Sequence, residues 1–122
     1  METILVRHPD KVKAIGVSNF SIAHLEALRQ ASVVTPAVNQ IELHPSLQQD
    51  ALVQYCRDHG IQVVAYSPLG SPQSSLMSDE QLFALAERNN ATVAQCLISW
   101  GVRRGWGVMP KSVSNSSSHY IQ

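Results

Sequence analysis

The side chains that could do chemistry lie at the ends of four short apolar segments of this 122-residue chain. They are Ser18, Asn19, Asn39, Gln40, Tyr66, Ser67, Lys111 and Ser112. Amide side chains both donate and accept hydrogen bonds, which suits a carboxamide ligand. A tyrosine offers a flat face to a heteroaromatic ring, and a lysine beside a serine hydroxyl suits a phosphate. If the segments are parallel strands of a barrel, these side chains line one rim, where such folds bind ligands.

Each of these positions also has a purely structural interpretation. Asn19 could be the N-cap of a helix that follows a strand-to-helix turn. Gln40 could be a hydrogen-bonded core amide, since an unsatisfied buried amide costs about 1–3 kcal/mol. His44, which precedes a proline, is interpreted as a loop residue and not as a catalytic base. Lys111 follows a strand, which is a common place for lysine, so no single residue is specific.

The overall composition excludes several classes of protein. Nine basic and nine acidic residues give no net charge, so the clustered cations of a nucleic-acid-binding protein are absent. No apolar stretch approaches the roughly 20 residues of a membrane-spanning helix, and the N-terminus has no secretory signal pattern. Cys56 and Cys96 have no pairing or ligand spacing, which suits reduced thiols. We therefore expect a cytoplasmic protein that binds neither nucleic acid nor membrane, and no metal.

Four segments rich in β-branched residues predict short strands buried on both faces, as in a parallel sheet. They lie at residues 14–17, 37–43, 62–66 and 107–109. Between them, helical patterns predict crossovers of the length that parallel strands require. The predicted order, β-α-β-α-β-loop-αα-β, fits half of a (β/α)8 barrel about as well as a small open sheet.

Capping signals predict where the helices begin and end. Ser21 and Ser46 are predicted to cap the first two helices, and Gly60 to end the second, whose apolar stripe starts at Leu47. Ser78 with Gln81 and Thr92 with Gln95 fit the capping-box pattern. They predict two successive helices, near residues 79–89 and 93–104, with a break around residues 89–90.

Four sequence motifs, in this order, resemble the fifth to eighth strands of the aldo-keto reductase barrel. They are KAIGVSNF at residues 13–20, VNQIELHP at 38–45, VAYSPLG at 64–70 and VMPKS at 108–112. The resemblance covers nearly the whole chain and implies an α/β fold: half of a TIM-type barrel, with strands β5 to β8 and the intervening helices, over residues 1–113. Residues 114–122 form a serine-rich tail that we expect to be flexible.

The resemblance also assigns roles to individual residues. It implies that Ser18, Asn19 and Gln40 bond the nicotinamide carboxamide of the cofactor and that Tyr66 stacks on the ring. It further implies a pyrophosphate contact through the loop and a contact with the adenosine 2′-phosphate, which would select NADP(H) over NAD(H). The residues implied are Ser67 and Leu69 for the pyrophosphate, and Lys111 and Ser112 for the 2′-phosphate.

The chain departs from the family pattern in two places. The family's catalytic Asp, Tyr, Lys and His lie on earlier strands, so none is expected here, and neither Tyr55 nor Tyr66 is an obvious replacement for the acid. The Arg and closing helix that follow the Lys-Ser pair in the family are also missing from residues 114–121. The sequence therefore predicts a truncated chain that holds the cofactor-binding half of the barrel.

Two classes of function follow from these features. The first is an NADP(H)-dependent oxidoreductase that interconverts carbonyl and alcohol groups on a small-molecule substrate, with a complementing half-barrel or a second copy in a homodimer covering the two edge strands. The alternative is a non-redox half-barrel that serves as a binding or regulatory subunit, or as an isomerase or cyclase acting on a small natural product.

Overall fold

A computed structural model of the protein describes residues 1–71 and 74–111. In chain order its elements are α1 (Glu2–Arg7), β1 (Val17–Ser18), α2 (Ile22–Ala31), β2 (Val38–Glu42), α3 (Asp50–Asp58), β3 (Gln62–Tyr66), a 3-10 turn (Leu76–Ser78), α4 (Glu80–Arg88), α5 (Val93–Arg103) and β4 (Gly107–Met109). The strands form one parallel sheet in the order β1-β2-β3-β4. The predicted α/β fold, with helices between parallel strands, is confirmed.

The strand predictions hold best where the segment is short and bounded by glycine or a turn. Strands β3 and β4 have the predicted bounds, and β2 is one residue shorter at each end. The first strand is confirmed, but its predicted bounds of 14–17 are wrong, because β1 spans Val17–Ser18 and pairs with β2 from Val17, opposite Asn39. Before it, Gly16 lies so close to β2 that a Cβ atom would be 2.9 Å from the Val38 carbonyl oxygen.

Two predicted helix caps are wrong. Ser46 lies within a turn closed by His44 and Leu47, so α3 begins at Asp50 after the left-handed Gln49, and Leu47 lies outside the helix with 40% of its surface exposed. Ser78 belongs to the 3-10 turn. A neighbouring carboxylate caps α4 instead, because Asp79 accepts bonds from two amides of the first turn, at 2.9 and 3.0 Å.

The remaining helix boundaries are confirmed. Ser21 caps α2, with its hydroxyl accepting from the His24 amide and the His24 ring accepting from the Ser21 amide. Thr92 and Gln95 form the predicted capping box of α5. Gly60 adopts the left-handed conformation just beyond α3, with φ of 68°. These ends depend on a few adjacent residues, which is why the sequence alone predicts them.

The chain divides into two compact units. The first contains residues 1–41 and 49–64, and the second contains residues 42–48 and the chain from residue 65. Within the first, the buried apolar side chains include Leu25, Ile41 and Cys56. Within the second, a hydrophobic cluster, hereafter the α4–α5 cluster, is formed by Leu76, Ala86, Val93 and Leu97. No helix among the described residues is long and apolar enough to cross a membrane.

Helix α1 is not predicted by the sequence, and one carboxylate explains its position. The Glu2 carboxylate accepts from the Ser32 hydroxyl at 2.6 Å and from the amides of Val34 and Val33 at 2.9 and 3.1 Å. These bonds, the hydroxyl of Ser32 foremost, lower the pKa of the Glu2 carboxyl below its ordinary value. The folded state therefore favours the ionised form of Glu2.

We expect Glu2→Gln to reduce the loss of stability in acid. A carboxyl whose pKa is lowered by folding contributes stability above its unfolded pKa, and this contribution is lost as the pH falls through the folded pKa. Thermal unfolding followed between about pH 5 and pH 3 should show a shallower pH dependence in the variant. Some dependence remains, because a bond from Tyr55 also lowers the pKa of Glu26. Parallel pH profiles for wild type and variant would contradict the assignment.

Candidate functional site

The strand-to-helix turn after β1 brings three of the predicted residues together. Ser18 lies opposite Gln40 in the parallel pairing of β1 and β2. The Ser18 hydroxyl and the Asn19 amide both donate to the Gln40 carbonyl oxygen, each at 2.9 Å. Asn19 has the left-handed φ of 58°, a conformation that asparagine tolerates better than most residues, and its side chain is exposed. Asn19 therefore shapes the turn, and its interpretation as an N-cap is wrong because Ser21 has that position.

The two adjacent amides of β2 have different surroundings. Asn39 is fully buried, and its side chain donates to the Phe20 carbonyl oxygen at 2.9 Å and accepts from the Phe20 amide at 3.4 Å. Because successive strand residues point to opposite faces, Gln40 lies on the other face, where it is only partly buried. The structural interpretation of a satisfied core amide thus applies to Asn39, whereas the neighbouring Gln40 is only partly buried.

Strand β3 ends at the predicted stacking residue and continues into a tight loop. Tyr66 is partly buried, and its carbonyl oxygen accepts from the Leu43 amide at 3.4 Å. Ser67 has a left-handed φ of 47°, and its carbonyl oxygen accepts from the Gly70 amide at 2.9 Å. Gly70 has φ of 82°, and a Cβ atom there would lie 2.6 Å from the Ser74 Cβ. The loop therefore needs glycine at this position.

Leu69 contributes to this loop through packing. Its side chain packs against the α4–α5 cluster, so any contact with a phosphate would have to come from its backbone. Packing of the Leu69 side chain holds the loop backbone in position, and backbone amides of such loops can bind anions. The side chain of Leu69 therefore anchors the loop, and only its backbone is available for a polar ligand.

Lys111 is exposed just beyond the end of β4 and follows Pro110. Its ammonium group is accessible to an anionic ligand. The predicted partner Ser112 lies outside the described residues, as does the predicted tail at 114–122. Of the predicted Lys-Ser pair, only Lys111 is therefore described by the structure.

A tyrosine outside the predicted site has an ionic partner. The Tyr55 hydroxyl of α3 donates to the Glu26 carboxylate of α2 at 2.6 Å, and Arg29 pairs with the same carboxylate at 3.2 Å. The hydrogen bond to Glu26, together with burial, raises the pKa of the Tyr55 phenol. Tyr55 thus joins two helices as a protonated phenol, in keeping with its omission from the predicted site.

Two groups near the end of β2 make contacts that the sequence does not predict. His44, interpreted from the sequence as a loop residue, is only 8% exposed, and its Nε2 lies 3.3 Å from the Glu42 carboxylate. Arg104 bonds the side chain of Gln48 at 2.8 Å although 56 residues separate them. The proline after His44 is a signal for a fixed turn, whereas nothing in the sequence pairs Arg104 with Gln48.

Comparisons with known proteins agree with this geometry. The model of the aldo/keto reductase family matches residues 10–121. The chain is 48% identical over 106 residues to glycerol 2-dehydrogenase (NADP(+)) of Saccharomyces cerevisiae, covering 85% of this chain and 34% of that protein. It is 45% identical over 103 residues to glyoxal reductase of Bacillus subtilis, covering 84% and 37%. The chain spans about a third of the length of these curated relatives.

Solved structures show the same relationship. MGS-M4, an aldo-keto reductase from a Medee basin deep-sea metagenome library, superposes with a TM-score of 0.89 at 39% identity, covering 98% of this chain and 43% of that one. A point mutant of Gox0644 in complex with NADPH superposes with a TM-score of 0.81 at 43% identity, covering 92% and 41%. The predicted partial barrel is thereby confirmed, and the chain belongs to the aldo/keto reductase family.

Proposed function

We propose that this chain forms the cofactor-binding part of an NADP(H)-dependent oxidoreductase that interconverts carbonyl and alcohol groups. The observation that carries the proposal is the convergence of Ser18, Asn19 and Gln40 at the paired ends of β1 and β2. The partly buried Gln40 amide provides both a donor and an acceptor, as a nicotinamide carboxamide requires. Glycerol 2-dehydrogenase (NADP(+)) and the NADPH complex of a Gox0644 mutant support the same cofactor.

The other cofactor contacts are proposed from the second unit. Tyr66 stacks on the nicotinamide ring, and the loop with Ser67 and the backbone of Leu69 contacts the pyrophosphate. Lys111 binds the adenosine 2′-phosphate together with Ser112. The exposed ammonium group of Lys111 and the loop fixed by Gly70 fit these roles. Bound NADPH supplies a hydride for reduction of a carbonyl group.

We propose that the catalytic acid comes from outside these 122 residues. Reduction of a carbonyl needs a group that protonates the developing alkoxide. Tyr55 is committed to Glu26, and Tyr66 has the stacking role. A segment that supplies the acid, on the same polypeptide or on another chain, would complete the site for a small carbonyl substrate.

We also propose that β1 and β4 pair with such a segment or with a second copy of the chain. They are the first and last strands of the sheet order, and edge strands have backbone groups that can pair with another strand. The two cysteines of the chain are free, which favours a cytoplasmic location.

The proposal is tested by titrating the full chain with NADPH while its fluorescence and its sedimentation are measured. We expect saturable binding. For Gln40→Leu, the dissociation constant should rise about tenfold, which corresponds to the loss of about 1.4 kcal/mol of hydrogen bonding. The control is Gln62→Leu, an exposed glutamine at the start of β3, which should bind like wild type.

Absence of saturable binding at high micromolar NADPH would contradict the cofactor proposal. A folded monomer in sedimentation would contradict the homodimer. If NADPH binds and a carbonyl-reduction assay of the assembled protein consumes none of it, the non-redox alternative gains support.

A further inference from the structure

We infer that Arg104 is a positioning residue for Tyr66, acting through the turn of residues 43–48. The inference rests on the proposed function, because Tyr66 matters to a ligand only if it stacks on the nicotinamide. All contacts involved lie within the second compact unit. They run from Arg104 to Gln48, through the turn, and end at the backbone of Tyr66.

The guanidinium of Arg104 is held by two aromatic rings. It follows α5 directly and lies 4.6 Å from the ring centroid of Trp100 and 5.4 Å from that of Trp106. The two rings pack edge to face, with centroids 5.2 Å apart, and Trp106 is buried. Although Arg104 is exposed, its guanidinium therefore contacts two packed rings, from which it reaches a third group.

Gln48 is the group attached to it. Arg104 Nη2 donates to Gln48 Oε1 at 2.8 Å, and Gln48 Nε2 donates to the Pro45 carbonyl oxygen at 3.1 Å. One side-chain amide thus uses its oxygen for the arginine and its nitrogen for the backbone of the turn. Its orientation is fixed by both bonds, since reversing the amide would place a donor against the arginine.

The turn transmits this attachment to Tyr66. The His44 amide donates to the Leu47 carbonyl at 3.2 Å, and the Leu47 amide donates to the His44 carbonyl at 2.8 Å, so the turn is closed. At the first residue of this segment, the buried Leu43 donates its amide to the Tyr66 carbonyl oxygen at 3.4 Å. Displacing the turn therefore acts on the backbone from which the Tyr66 ring projects.

The expected signature is specific to the nicotinamide end of the ligand. Loosening Tyr66 weakens stacking on the nicotinamide, and adenosine 2′,5′-bisphosphate lacks that ring. General destabilisation of the fold would instead weaken the binding of both ligands to a similar extent. The ratio of the two dissociation constants therefore separates a positioning role from a merely structural one.

The test uses the full chain with the variant Arg104→Met, which keeps an apolar stem over the two tryptophans and removes the bond to Gln48. We expect the dissociation constant for NADPH to rise about fivefold, while that for adenosine 2′,5′-bisphosphate is unchanged. Gln48→Leu should have the same effect, and the double variant should bind NADPH no more weakly than either single variant. Gln48→Glu keeps an acceptor for Arg104 and should retain tighter NADPH binding than Gln48→Leu.

The matched control is Arg103→Met, the same change at the neighbouring exposed arginine, which should leave both constants unchanged. Equal weakening of the two ligands by Arg104→Met, or no weakening of either, would overturn the inference while the proposed function stands. Additive losses in the double variant would overturn it as well. If wild type binds neither ligand, the proposed function fails and the inference fails with it.

Discussion

Replacing Asn39 by alanine is expected to lower the free energy of unfolding by about 2–3 kcal/mol. The side chain is fully buried and bonds both the amide and the carbonyl of Phe20. Alanine leaves these backbone groups without their partner and opens a small cavity between β2 and the turn after β1. The same loss frees the turn that contains Asn19, so NADPH binding should weaken in parallel.

Urea unfolding followed by circular dichroism measures this effect. The control is Asn89→Ala at the C-cap of α4, because the Asn89 side chain also bonds a backbone carbonyl, that of Leu85 at 2.8 Å, but is exposed to water. Because water can replace that bond, the free energy of unfolding of the control should fall by less than about 0.5 kcal/mol. Similar losses in the two variants would show that Asn39 has no special role in the fold.

Replacing Lys111 by methionine is expected to weaken NADPH binding by about 10- to 100-fold, since a hydrogen bond to a charged group contributes about 1.5–3 kcal/mol. Under the proposed function, Lys111 faces the 2′-phosphate of the adenosine ribose, and NADH has a hydroxyl there. The affinity for NADH should therefore change little. The preference for NADPH over NADH would largely disappear in the variant.

Competitive titrations with NADPH and NADH at two salt concentrations measure that preference. Raising the salt should weaken NADPH binding more in wild type than in Lys111→Met, because salt screens the attraction between ammonium and phosphate. The control Lys13→Met removes another exposed lysine, one that bonds the Pro9 carbonyl at 2.7 Å. An equal loss for both nucleotides in Lys111→Met would rule out a 2′-phosphate contact.

The sequence by itself determined the features that depend on neighbouring residues. The bounds of β3 follow from a β-branched run that a turn signal ends, and the start of α5 follows from the pairing of Thr92 with Gln95. The motifs around Ser18 and Gln40 also predicted which side chains meet, because the ends of parallel strands lie at one edge of a sheet. The pairing of these two residues in β1 and β2 agrees with that prediction.

Only the tertiary structure decided the features that depend on distant residues. Helix α1 is fixed by Glu2, whose partners Ser32 and Val34 lie 30 or more residues away. The start of α3 depends on the closure of a turn between His44 and Leu47, which left the predicted cap unused. Several nearby polar residues can cap a helix, and packing selects among them.

Tertiary contacts also explain why the two amides of β2 differ in burial. Asn39 and Gln40 are chemically alike and adjacent, and a strand must point one inward and the other outward. Pairing of β2 with β1 set that choice: it buried Asn39 as the partner of Phe20 and left Gln40 partly exposed. The sequence thus predicted where the polar residues meet, and strand register decided which amide is buried within the fold and which is only partly buried.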